Sequence, residues 1–281
     1  MKKLLVIAAS AVVLLSTSAY ADMTIGGAMR YDLSKAGDAT ATSGISKSEI
    51  TFGASEDLGN GTTVTAKLGV NGLGRGETVA GTDATIGIAG AFGSVRVGQI
   101  EAGNGIIGRG LGGAPVIGAD GTVLAGSVNL DSLKYSTPTM GGFTASIGAS
   151  RRVDSTADYS YTASLSGAIA GVNAGIDYNE TSKRVRVSAS TELAGLTVGA
   201  GWSGNESTRA DSSVFGVSMP LGSALTVGAA RSIGDGTANE FGAKYALAKS
   251  TSIQIAYQDV QGNSTAANNV ATTRVRLEYK F

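Results

Sequence analysis

The sequence predicts an all-β protein, a transmembrane antiparallel β-barrel of about sixteen strands with a long third loop. Three observations predict it. The N-terminus reads as an export leader, no long apolar run follows it, and the last strand carries a charge at every second position.

Lys2 and Lys3 precede an apolar run from Leu4 to Leu15 that only Ser10 interrupts, and Ala19-Tyr20-Ala21 forms an Ala-x-Ala site before Asp22. Basic start, short apolar stretch and small-residue site are the marks of a secretory signal peptide. Twelve helical residues rise only about 18 Å, short of a ~30 Å hydrocarbon core, which speaks against a membrane anchor. The expected division is therefore a leader over 1–21 and one barrel domain over 22–281.

Composition excludes several classes of chemistry. The full chain holds 22 basic and 22 acidic residues. Without Lys2 and Lys3 the balance is slightly acidic, so no polybasic nucleic-acid footprint exists. There is no Cys and no His. Disulfides, the Ser-His-Asp triad, the Cys-His dyad and the usual zinc ligand set are all excluded. The sequence points to no catalytic residue, metal or cofactor.

From Arg274 onward the chain alternates strictly. Arg274, Arg276, Glu278 and Lys280 fall on one face, and Val275, Leu277, Tyr279 and Phe281 on the other. A packed interior does not accept four charges from one strand. A strand with water on one side and lipid on the other does.

No apolar run of 18 residues occurs after Ala21, so transmembrane helices are not expected. Period-two segments bounded by turn residues fill the chain instead. Sixteen are predicted, at 23–33, 45–56, 62–71, 83–91, 93–100, 131–138, 142–151 and 158–169, then at 171–180, 182–193, 195–204, 211–219, 223–233, 237–247, 250–260 and 270–281. Their connections are short on one side, as at Ala170-Gly171 and Ala194-Gly195, and mostly longer on the other. That asymmetry is characteristic of outer-membrane barrels. An even count puts both chain ends on the short-turn side, where the first and last strands can pair. Closure is required because an open edge in lipid leaves backbone groups without partners.

The face opposite the apolar stripes is the expected water face. Its wall includes Arg30, Lys47, Glu49, Lys67, Arg96, Lys134, Arg274 and Arg276, with Arg184, Arg186, Lys244 and Lys280 also basic. Asp32, Asp177, Glu240 and Glu278 are its other acids. Basic residues outnumber acidic ones there by 11 to 5.

Other motifs carry less. Gly103-Asn104-Gly105-Ile106-Ile107-Gly108 matches G-x-G-x-x-G, but a dinucleotide site needs a helix opening at those glycines. Gly110, Gly112, Gly113 and Pro115 argue against one, and 42 glycines make chance matches common. No two carboxylates point at a shared substrate more than a charged wall would. The N-x-[ST] triplets at Asn60, Asn179, Asn205 and Asn263 read as turn chemistry. Trp202 reads as an interface anchor.

Several segments in order resemble the general Gram-negative porins, the trimeric sixteen-stranded diffusion pores. They are Ser48-Glu49-Ile50-Thr51-Phe52-Gly53 with Glu56 to Gly61, Phe92 to Gln99 ahead of a long loop, Ser132 to Pro138 with Gly141-Gly142-Phe143, and the terminal Leu277 to Phe281. The resemblance implies a water-filled outer-membrane channel for small hydrophilic solutes and ions, assembled as a homotrimer. It implies that Phe281 is the signal read by the barrel-assembly machinery. It also implies that the third long loop, Glu101 to Leu130, folds inward and narrows the pore, with Glu101, Arg109 and Asp120 as its charges.

A basic wall facing a weakly charged loop suggests a mild anion preference. The competing reading is that these bases merely pair with Asp32, Glu49 and Glu278. Two other classes fit parts of the pattern: a plugged barrel with a structural or adhesive role, and a secreted soluble β-sandwich.

Overall fold

In the computed structural model, residues 21–281 are described apart from 73, 75–77, 103–106, 117–127, 154, 206–210 and 265–268. Sixteen strands run in chain order among the described residues. They are β1 (Asp22–Ala36), β2 (Thr42–Asp57), β3 (Thr63–Asn71), β4 (Ala80–Gly90), β5 (Gly93–Ala102) and β6 (Val128–Ser136). Then come β7 (Phe143–Arg152), β8 (Ser160–Ile169), β9 (Val172–Asn179), β10 (Arg184–Leu193) and β11 (Leu196–Asn205). The last are β12 (Ser212–Leu221), β13 (Leu225–Gly234), β14 (Gly236–Ala248), β15 (Thr251–Gln261) and β16 (Thr272–Lys280).

Each strand pairs antiparallel with its sequence neighbours, and β1 pairs with β16, so the sheet closes into a barrel. All strands but β9, at 8 residues, are 9 to 16 residues long, and tilted membrane-spanning strands need ~9–11. The closed sheet and its outward apolar face set aside the soluble sandwich. Large apolar residues such as Ile25, Leu68, Ile147, Phe241 and Leu277 are exposed on the outer face. A soluble protein would bury that belt.

Turns on the short side follow from local chemistry. Ala170-Gly171 and Ala194-Gly195 both have two positive φ angles, 49° and 81° in the first and 52° and 81° in the second. These are primed two-residue turns, whose twist matches that of the strands they join. At the turn after β2, the Asp57 carboxylate accepts a hydrogen bond from the Gly59 amide at 2.8 Å. On the opposite side β13 and β14 join through Asp235 alone, with Gly234 facing Gly236.

The closing seam is built at the chain end. The Gly27 amide donates to the Phe281 carbonyl at 3.0 Å, and the Phe281 amide donates back to Gly27 at 3.2 Å. The Phe281 ring lies where a side chain on Gly27 would stand, stacked with Tyr279 at 6.0 Å between centroids. Glycine permits that close approach.

Ile255 sits mid-strand on the outer face, 51% exposed. Replacing it by Arg is expected to lower the free energy of folding into lipid vesicles by about 2–4 kcal/mol, because a lipid-facing cation near the midplane costs that much. A urea titration in vesicles checks this, with Ile255→Leu as control.

Candidate functional site

Cross-strand pairing sorts the charges without appeal to function. Residues opposite one another in an antiparallel pair share a face. Arg276 pairs with Asp32, Glu278 with Arg30, and Arg30 with Lys47. This face lies opposite Met29, Tyr31, Leu277 and Tyr279, which are exposed on the outside. Glu49, Lys67 and Arg274 continue it around the seam, while Arg96 and Lys134 face each other across β5 and β6. All eight wall residues named from the sequence thus lie on the inner surface.

The seam gathers most of the charge. Arg276 donates from Nε and Nη2 to the two Asp32 oxygens at 2.8 Å each, and Arg274 approaches Asp32 at 3.7 Å. Arg30 meets Glu278, and Lys47 meets Glu49, each at 2.5 Å. Lys280 adds a second cation to Glu278 at 3.5 Å. The carboxylates do pair with the bases, as the competing reading held, yet five cations here share three acids. Arg96 and Lys134 have no carboxylate within salt-bridge distance among the described residues. Arg186 is paired with Asp177.

Two acids differ from the sequence expectation. Glu240 is only 1% exposed, more deeply enclosed than Glu278 at 8% or Asp32 at 9%, and so lies farthest from water of the three. Its inner-face neighbours on β13 and β15 are Ala230 and Gln258, and burial of that quarter of the wall is not visible in a strand pattern. Asp83 was missed. It binds Lys67 at 3.2 Å and accepts the Glu101 amide at 2.9 Å. The outward stripe Ala84, Ile86 and Ile88 would have revealed its facing.

The third connection does enter the barrel. Residues 107–116 lie against the inner wall from β9 to β15. They include one helical turn, α1 (Ile107–Gly110), where the sequence glycines argued against any helix. One turn of helix is too short for a dinucleotide site, but the wall supplies contacts that the isolated segment lacks. The Ser218 hydroxyl donates to the Gly112 carbonyl at 2.6 Å, and Gln254 donates to the Val116 carbonyl at 2.8 Å.

The wall beneath is made of glycine. A Cβ on Gly199, Gly216 or Gly242 would collide with the carbonyl oxygens of Arg109, Leu111 or Pro115, and one on Gly175 would meet the Arg109 guanidinium. Interior glycines in strands mark places where another backbone comes close. Sequence reading counted these glycines but had no cue to which faced the segment. Next to the track, the inner row Val214, Ser232, Ala238 and Val260 is 2% exposed or less. The buried core of this barrel therefore sits inside it, on one side.

Of the three loop residues named from the sequence, Arg109 is in α1 against Gly175. Glu101 is not in the loop: β5 runs to Ala102, and Glu101 pairs with Asn129. Hydrogen bonding to β6 extends the strand beyond the point where alternation fades. Leu130, the expected far end, is likewise paired, with Ile100. Asp120 lies outside the described residues.

A closed transmembrane barrel with a polar inner wall and an inserted segment defines an outer-membrane diffusion channel. The Gram-negative porin family model matches residues 8–280, and the chain belongs to that family. No curated protein matches the chain at a significant level. Among solved structures, a triple mutant of the Rhodopseudomonas blastica porin is similar at 16% identity and TM-score 0.71, covering 92% of this chain and 100% of its own. Another mutant of that porin is similar at 17% identity and TM-score 0.70, with 92% and 100% covered. A loop-deletion mutant of OmpT, an outer membrane protein of Vibrio cholerae, is similar at 13% identity and TM-score 0.71, covering 93% and 99%. The protein is a bacterial outer-membrane porin forming a channel for passive diffusion, and the plugged-barrel alternative is not favoured.

Replacing Gly216 by Val is expected to lift residues 109–112 off the wall and to speed tryptic cleavage after Arg109 at least tenfold in the folded barrel. Ser218→Ala removes only one hydrogen bond, worth about 0.5–1.5 kcal/mol, and leaves cleavage slow. Peptide mapping after timed proteolysis separates the two outcomes.

Proposed function

We propose that the channel passes small hydrophilic solutes and ions with a weak preference for anions. The observation that carries this is the surplus of cations along the wall from β16 through β1 to β6, opposite the wall on which residues 107–116 lie. Paired charges largely cancel at a distance, whereas surplus charges set the potential of a lumen with low-dielectric walls. Arg30, Lys47, Lys67, Arg96, Lys134, Arg274 and Arg276 form the basic side of the path, Glu49 tempers it, and Arg109 stands on the inserted segment. The role of Glu101 is that of a wall residue near the third loop, and Asp120 is the loop's acidic member.

The mature chain of this proposal begins at Asp22 after removal of the leader. Phe281 acts as the signal for the barrel-assembly machinery; its place at the closing seam, against Gly27 and Tyr279, agrees with that role. The functional unit is a homotrimer embedded in outer-membrane lipid, with no catalytic step, cofactor or nucleic-acid partner.

In planar bilayers under a potassium chloride gradient, the protein is expected to insert in groups of three equal conductance steps and to give a reversal potential of anion-preferring sign. The Arg96→Gln/Lys134→Gln double variant is expected to move that potential toward the cation side. A cation-preferring wild-type channel overturns the assignment of the wall.

A further inference from the structure

A second feature of the lumen is a polar recess at the β2–β5 wall. Its volume is about 620 Å³. It holds Lys47 and Glu49 from β2, Lys67 from β3, Asp83 from β4 and Glu101 from β5. Ser46, Ser48, Asn71, Gly72, Thr78 and Thr82 line the rest of it, and among the described residues no aromatic or large aliphatic one does. A volume of that size lies within the range of small-molecule sites, on the order of 300–1,000 Å³.

We propose that this recess is a subsite for zwitterionic solutes, free α-amino acids, on their way through the channel. The inference rests on the channel reading above and names a solute class for it. Charge order is the argument. Lys47 pairs with Glu49 and Lys67 with Asp83, at 2.5 and 3.2 Å. A simple anion that approaches either lysine also meets that lysine's carboxylate partner, and a simple cation meets the reverse. A solute carrying both charges replaces each pairing it disturbs, its carboxylate on Lys47 or Lys67 and its ammonium on Glu49 or Asp83. Exposed pairs are weak enough to exchange in this way, at ~0–1 kcal/mol each. A neutral sugar satisfies hydroxyl and amide groups but gains nothing from the alternation, and among the described lining residues finds no aromatic face to stack on.

The recess is built by backbone as well as side chains. The Glu101 backbone amide donates to the Asp83 carboxylate at 2.9 Å. Gly72, with φ of 77°, closes against the Thr78 carbonyl, where a Cβ would collide. The registers of β2, β3 and β4 set the spacing of the positions that carry these lysines and carboxylates.

The test uses the whole detergent-solubilised protein and glutamine as the probe. Isothermal titration is expected to show saturable glutamine binding, with a half-saturating concentration in the millimolar range. The Lys47→Gln/Glu49→Gln double variant, which keeps net charge, is expected to raise that concentration at least tenfold. Xylitol and acetate are expected to give no saturable signal in either protein. In bilayers, glutamine is expected to reduce wild-type current saturably, and xylitol only in proportion to viscosity. Absence of glutamine binding by a folded, heat-modifiable barrel overturns the subsite, as does equal binding of xylitol or an unaltered double variant. Absence of any conductance with glutamine binding intact overturns the channel reading instead.

Discussion

The structure depends on one requirement: in hydrocarbon, every backbone N–H and C=O must find its partner within the protein. A β-sheet meets that only when its first and last strands meet. Here β1 and β16 pair over Ala28 to Ala36 and Lys280 to Thr272, and Phe281 extends the seam through two bonds to Gly27. Because closure joins the chain ends, it also joins two charged strand faces 244 to 248 residues apart in sequence, as the Arg276–Asp32 and Arg30–Glu278 contacts show. The charged centre of the lumen is thus a by-product of the same pairing that lets the sheet exist in a membrane.

The inside of the barrel is divided. One wall, from β9 to β15, gives up side chains at Gly199, Gly216, Gly228 and Gly242 so that the backbone of residues 109–115 can lie directly on it, and at Gly175 to admit the Arg109 guanidinium. Polar donors from Ser218 and Gln254 satisfy carbonyls that the segment cannot pair by itself. The other wall keeps long charged side chains. The inserted segment, anchored at several points, thus occupies one side of the barrel interior, while the arginines and lysines of β16, β1 and β2 stand on another.

Much of this was legible from the residues. Period-two alternation needs only the geometry of a strand, so the number of strands, their order and the facing of Arg30, Lys67 or Arg276 follow from counting. Where the reading went astray, a contact between distant segments was responsible. Glu101 is in a strand because β6 pairs with it, although its own neighbours do not alternate. Glu240 occupies an inward position like its peers but is buried there. The single turn at Ile107–Gly110 forms in a glycine-rich stretch because β10, β11 and β12 pack against it. Within the inserted segment, Arg109 and Leu111 owe their positions to glycines about 65 to 105 residues further on.

By itself the sequence determined the class of fold, because lipid on one side and water on the other leave a period-two record in every strand. It also determined which face most of the charged side chains take, because facing is a local property. Tertiary structure decided which of those charges pair, how deeply acids such as Glu240 are enclosed, and where the inserted segment rests. Those outcomes are set by distances between strands far apart in the chain, and a one-dimensional pattern holds no distances.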